Sequence, residues 1–508
     1  MTAKSLRKGA GAFGLLSFVL LMVFFVGMAL IDGPEYCVDT TSYVTMDFSR
    51  EPVYPLFLLG LRTLFEKMGV TVEPYGLPAY FTAAVILQSI LWAFAIYRLG
   101  IYIYDVCKDS LTEFRARAMM VIAEGFQVGV ACLNRFVAKR GSMYSESLMT
   151  ESLAMPLFVL FTVLLLKSFE DYDLSSCIKL FLLATLIGSV RKQMLVAVLM
   201  WGCCSFILHL FVKRHRSLNK FSYTVIFVVL TFVAVAMLDR GYNLAARGLF
   251  VGHTGNSKGG LCTLLYTSDL SDAKLFAEDK DYPELGALFT KIMEECRSRE
   301  LTIDYAPGYD SEVKNTLLNS DWAEMASHYA DSYDIIGFDI VQPMCDEYVA
   351  MHYPELDRPL SLLQEDKIEK KLFNTLLKGH VSGAFKGGEK DMLYVLEANV
   401  LKAFVISNAN ITPCVLIKVS LIIYGVYLVL YIFFAIMTLR LAGTVSRGQD
   451  LEHFNTMRKI LLLGFVVMAG LSVNAVVTGA LIFPQPRYMC YSMGLFYLSL
   501  CSLVMVRR

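Results

Sequence analysis

The stretch from Asp32 to Phe65 reads DGPEYCVDTTSYVTMDFSREPVYPLFLLGLRTLF, with four acids (Asp32, Glu35, Asp39, Asp47) inside 16 residues and Arg50 just after them. Carboxylates are the groups that do general acid–base work near neutral pH, and Arg50 is placed to meet an anion. Three other polar points interrupt apolar sequence: Glu146 and Glu151, Arg191-Lys192, and Arg487-Tyr488. Glu124 lies deep inside a further apolar run, where an unpaired charge costs several kcal/mol; a structural pair with Arg98 is its expected role. Solvated-loop and snorkelling readings stand beside the functional ones for the loop acids, Arg191 and Arg487. Glu151 also suits a helix start, where an acid complements the dipole.

Two other chemistries fit poorly. GHTGNSKGG, around Lys258, does not match G-x4-G-K-[ST] and reads as a flexible loop. The seven histidines are scattered, so no metal site and no cofactor is predicted, although the first-loop acids could hold a divalent ion. Among the twelve cysteines, Cys37, Cys262, Cys296 and Cys345 lie outside the apolar runs and could pair, but no spacing selects a pairing.

The elements that must position these residues are membrane helices. Of 508 residues 56% are hydrophobic and 18% charged, and mean hydropathy is +0.52. Soluble domains run at about 45–50% apolar and about 25% charged. The composition excludes a soluble enzyme, a disordered chain, a coiled coil and a typical nucleic-acid binder; 46 bases balance 46 acids. A span needs about 20 apolar residues to cross roughly 30 Å of hydrocarbon. Windows of that size fall at 10–31, 78–104, 115–134, 148–168, a short pair at 178–190 and 194–212, then 221–238, 413–437, 459–482 and 488–506. The predicted fold is an all-α polytopic membrane protein of about ten transmembrane helices, with interfacial amphipathic helices and a large extracytoplasmic helical and loop segment. Its parts are 1–238, 239–412 and 413–508.

Orientation follows from the basic residues. Lys4, Arg7 and Lys8; Lys213, Arg214, Arg216 and Lys220; Arg440, Arg447, Arg458 and Lys459; and Arg507-Arg508 all fall on one side of a ten-span chain. That side is the cytoplasm, so both termini lie inside and 239–412 lies outside. The latter carries 28 acids against 17 bases. Helical periods occur at 285–299 and 360–378, and the stretch before the eighth span has the spacing of a helix lying on the membrane. No single globular domain is evident there, only amphipathic helices and long loops capping the bundle. Prolines 52 and 55 precede an apolar run too short to cross, so Pro55–Phe65 reads as a helix lying flat in the interface.

The order Asp39-x3-Tyr43, then Arg50-x-Pro52-x-Tyr54-Pro55-Leu56-Phe57-Leu58, resembles the first outer loop of the GT-C glycosyltransferases. That superfamily includes protein O-mannosyltransferases and the lipid A aminoarabinose transferase. SESLMTESLAMPLFVLF (Ser145 to Phe161), LATLIGSVRKQMLVAVL and PQPRYMCYSMGLFYL resemble further stretches of its membrane part. The likeness covers roughly 1–215 and 455–508; the family's usual Asp-Glu pair is absent, since Thr40 follows Asp39.

The resemblance implies an integral-membrane glycosyltransferase that moves a sugar from a polyprenyl phosphate to an acceptor hydroxyl at the extracytoplasmic face. The setting it implies is a bacterial plasma membrane, with a cell-envelope lipid, polysaccharide or protein as acceptor. In that scheme Asp39 is the base and Glu151 a second carboxylate. Tyr43, Arg50, Tyr54, Glu146, Arg191, Lys192, Arg487 and Tyr488 bind substrate, the cations meeting the leaving phosphate. A transporter or flippase of lipid-linked saccharides, or a polymerase of them, is the alternative. A transporter would favour internal repeats and polar groups at the midplane, and no repeat is visible.

Overall fold

A computed structural model of the chain describes residues 11–136, 141–170, 173–212, 217–277, 282, 284–385, 392–409, 414–445 and 451–506. It is 81% helical, with no strand among the described residues. The protein is an all-α polytopic membrane protein. Ten helices among the described residues are long and apolar enough to cross a membrane. Of the basic clusters that set the orientation, residues 4–8, 213–216, Arg447 and 507–508 lie outside the described residues.

The chain forms two compact units: 1–242, 407–473 and 489–508 in one, and 243–406 with 474–488 in the other. In the first, α1 (Gly11–Asp32) leads to a short α2 (Thr40–Val44) and to α3 (Val53–Lys67). Then come α4 (Ala79–Cys107), α5 (Glu113–Phe136), α6 (Glu151–Glu170), α7 (Leu174–Val190), α8 (Leu195–Phe211) and α9 (Leu218–Arg247). Hydrogen bonds fix their alternating direction. Arg135, at the end of α5, pairs with Asp32 at the end of α1. Trp92 in α4 donates to Ser152 O at the start of α6 (2.9 Å). At the opposite end of the bundle Tyr102 donates to Glu170 (3.2 Å), and Lys459 pairs with Glu170 (2.9 Å).

Membership of the ten differs from the sequence expectation. α7, with 17 residues, is shorter than the ten, although it runs back along α6 and returns Arg191 to Glu151, whereas Met392–Ala409 (18 residues) meets the length and hydropathy requirement. Glu124 also departs from expectation. It accepts from Ser17 Oγ of α1 (2.6 Å), and no Glu124–Arg98 ion pair forms. The reason is a notch: a Cβ on Gly100 would sit 2.5 Å from Glu124 Oε1, so the carboxyl packs against that glycine.

The second unit corrects the picture of loops capping a bundle, because it has its own core. α10 (Lys258–Thr267), α11 (Leu285–Ser298), α12 (Trp322–Asp334), α13 (Gln342–His352) and α14 (Arg358–Phe385) bury Leu265, Phe289, Ile292, Tyr329, Val349 and Leu372 against one another. The first part of α15 (Met392–Ala409) adds Tyr394, Val395 and Ala398 to it. The glycine-rich segment is part of this packing and not a flexible loop. Lys258 donates to Gln342 (2.9 Å), lies 3.6 Å from Glu369, and Gly255 N donates to Asp366 (2.7 Å). Cys262, Cys296 and Cys345 are buried thiols. α16 (Cys414–Val445), the first part of α17 (Leu451–Leu481) and α18 (Met493–Met505) return the chain to the first unit.

Candidate active site

The site grows from a turn. Asp39 holds the N-cap position just before α2, but its carboxylate makes no capping bond to the helix backbone. Ser42 instead bonds to Asp39 O through both N (3.1 Å) and Oγ (2.6 Å). The helix stops after five residues in a Schellman pattern, Asp47 N to Ser42 O (2.8 Å) and Met46 N to Tyr43 O (3.3 Å), with Met46 in the left-handed region at φ 57°. That reversal brings Arg50 back over the helix it has just left. Arg50 Nη2 donates to Asp39 Oδ1 (2.8 Å), Nε donates to Ser42 Oγ (2.7 Å), and the guanidinium lies 4.8 Å from the Tyr43 ring centre.

Pro52 then ends the turn and α3 begins, its Tyr54 fully buried and donating to Gln88 of α4 (3.0 Å). Tyr43 and Tyr54 meet edge to face at 4.9 Å. With Ala29, Leu58, Phe81, Ala84 and Leu148 they form an apolar bed beneath the ionic groups.

A second acid–base pair abuts the first. Tyr43 Oη lies 3.5 Å from Thr150 Oγ1, which donates to Glu151 Oε2 (3.1 Å) and accepts from Arg191 Nη1 (3.1 Å). Arg191 and Glu151 form an ion pair of 2.5 Å, their side chains 15% and 1% exposed. Arg191 reaches this point because α7 ends there in extended backbone, and its Nε is steadied by Gln193 (3.0 Å). Next to it, Lys192 N donates to Glu51 Oε1 (2.8 Å) and Lys192 Nζ lies 3.6 Å from Asp239 of α9. Burial, reinforced by the Glu151 charge, pushes the Tyr43 hydroxyl above its ordinary pKa, so it is a neutral donor.

Asp39, Tyr43, Arg50, Glu151, Arg191 and Lys192 therefore gather at one end of the helices. Access separates them. Asp39 and Arg50 side chains are 27% and 26% exposed and Lys192 33%, so these three can meet a ligand directly. Tyr43 and Tyr54 are buried and serve as support. Glu146 is set apart: its Oε2 accepts from Met143 N (2.9 Å), Arg135 lies 3.9 Å away, and burial raises its pKa to about 7. Arg487 and Tyr488 belong to the second unit, where Arg487 donates to Gln485 (2.9 Å) and to the Tyr488 hydroxyl (3.1 Å). Among the described residues, no group of three or more His, Cys, Asp or Glu side chains is arranged to hold a metal ion.

Beside the ionic groups lies an apolar cavity of about 560 Å³. Pro52, Val53 and Leu56 form one wall, and Ala234, Leu238 and Gly241 of α9 the other. Its walls are two residues from Arg50 in sequence on one side and one from Asp239 on the other. Sequence reasoning missed Ser42, Gln193, Glu51 and Asp239. Glu51 and Asp239 meet Lys192 from far along the chain, where nothing in local spacing marks them. The chain matches no protein-family model, and no curated protein matches it.

Proposed function

We propose that the protein is a membrane glycosyltransferase that takes a sugar from a polyprenyl phosphate and delivers it to an acceptor hydroxyl at the extracytoplasmic end of its helices. The observation that carries this reading is the meeting of an accessible carboxylate, an accessible guanidinium and an apolar cavity at one end of a helical bundle. A lipid-phosphate sugar needs all three: hydrocarbon contact for the tail, cations for the phosphate and a base for the incoming hydroxyl.

In this reading Arg50 exchanges part of its bond with Asp39 for the donor phosphate, with Lys192 as a second point charge. That exchange frees Asp39 Oδ1 to accept the acceptor's proton. The acceptor oxygen bonds to the anomeric carbon, the bond from that carbon to the phosphate oxygen breaks, and polyprenyl phosphate leaves with its electron pair. The Glu151–Arg191 pair backs the site and keeps a second guanidinium behind the first. General-base assistance of this kind contributes about 10²–10⁴-fold.

The test is transfer of labelled sugar from a synthetic polyprenyl-phosphate donor in membranes holding equal amounts of wild type or Asp39→Asn. The reading predicts loss of transfer with unchanged expression and donor retention. Wild-type turnover by Asp39→Asn overturns the assignment of the base.

A further inference from the structure

Asp39 sits in a stretch, 33–52, whose only regular element is the five-residue α2, yet a base must be held to a fraction of an ångström. The structure offers one clasp. Glu35 N donates to Glu146 O (3.0 Å) and Leu148 N donates to Glu35 O (3.0 Å), a single parallel bridge between the first loop and the 141–150 loop. The Glu35 side chain locks it. Oε2 accepts from Ser147 Oγ (2.6 Å), from Asn134 Nδ2 of α5 (3.3 Å) and from Ser142 Oγ.

From that point the two loops are laced in step. Thr40 Oγ1 accepts from Cys37 N (2.8 Å) and donates to Leu148 O (2.9 Å), and Tyr43 reaches Thr150 two residues later. Asp39 lies between these stitches. A slip at Glu35 strains every one of them, because the Glu35 bridge is the backbone pairing that aligns 35–43 with 147–150.

We propose that Glu35 is a positioning residue: its carboxylate, gripped by Ser142, Ser147 and Asn134, sets the register that keeps Asp39 beside Arg50. The proposal rests on the reading of Asp39 as the base. Glu35 touches neither Asp39 nor Arg50, so it acts through the loop. A misplacement of about 1 Å costs about 10²-fold in turnover.

The experiment uses the purified full chain in lipid nanodiscs, comparing wild type with Glu35→Ala, Glu35→Gln and the milder Ser142→Ala. Two quantities are read: amide hydrogen exchange over 36–50, with α4 as internal reference, and transfer from a polyprenyl-phosphate sugar. Glu35→Ala and Glu35→Gln are expected to speed exchange in 36–50 while α4 stays protected. Turnover falls about 100-fold, with more of the loss in kcat than in KM. Ser142→Ala, which removes one of three donors, gives an intermediate loosening and keeps the fold if the larger change does not. Unchanged exchange overturns the clasp. Lost turnover with unchanged exchange makes Glu35 a substrate-touching group and overturns the positioning role, as does loosened exchange with normal turnover. If wild type transfers nothing, the reading of Asp39 fails and the positioning role with it, while the exchange data still decide whether the clasp exists.

Discussion

The Glu151–Arg191 pair is the buried electrostatic support of the proposed site, and its removal has a size that follows from the structure. Glu151 is 1% exposed, Arg191 15%, and the charged atoms are 2.5 Å apart. Two unit charges about 4 Å apart attract by about 4 kcal/mol at an effective dielectric constant of about 20. Removing one partner of such a pair strands the other and costs about 3–5 kcal/mol. Glu151→Gln and Arg191→Met are each expected to destabilise by that amount. The double variant strands no charge and should cost much less than the sum, a coupling of about 2–3 kcal/mol. The assay is equilibrium denaturation in mixed micelles at matched lipid content. Single variants costing under about 1 kcal/mol, or strictly additive effects, would refute the claim that the pair is desolvated.

Other consequences are open to measurement. Gly241 faces open space at the cavity wall, so Gly241→Phe should fill the cavity and raise the KM for a polyprenyl-phosphate donor at least about tenfold, a loss of about 1.4 kcal/mol in binding, while thermal stability holds; an unchanged KM removes the cavity from the donor path. Glu146 titrates near 7 when folded against an ordinary value of 4.5. The folded state thus binds the extra proton and this contribution to stability is present at low pH and lost as pH rises from about 4.5 to about 7. Glu146→Gln should stabilise by about 1–3 kcal/mol at pH 8 and not at pH 4, and the reverse order would contradict the burial of its carboxyl beside Asp32, Glu35 and Arg135. Leu318, 99% exposed in the second unit, replaced by cysteine should react with an impermeant thiol reagent in intact cells; reaction only after lysis would invert the orientation.

Much of the helical architecture is legible in the sequence because length and hydropathy of an apolar run are local properties. α1, α4, α5 and α6 are readable for that reason. Two features are not local. Residues 474–488 continue an apolar run yet belong to the second unit, as packing of Phe483 against Tyr333 (4.6 Å) shows. The core of 243–406 is assembled from helices far apart in sequence, among them the amphipathic 285–298, so the periods are readable but their packing into one core cannot be read along the chain. At the site, Asp39 and Arg50 are recognisable as types, but their bond spans 11 residues and depends on the left-handed turn at Met46. Glu151 and Arg191 meet across 40 residues, where no spacing rule applies. Glu124 shows the opposite error. Arg98 offers a charge partner on paper, while the glycine two residues further on offers the carboxyl a seat in fact.

The most direct measurement follows the fate of a doubly labelled donor, with different isotopes in sugar and lipid, in sealed proteoliposomes holding the purified chain and an acceptor. The account predicts that the labels part: sugar appears on the acceptor hydroxyl, lipid label appears as polyprenyl phosphate, and Asp39→Asn keeps both together. Movement of the intact donor from one leaflet to the other, with neither label separated, would contradict the account and make the protein a carrier of lipid-linked sugar.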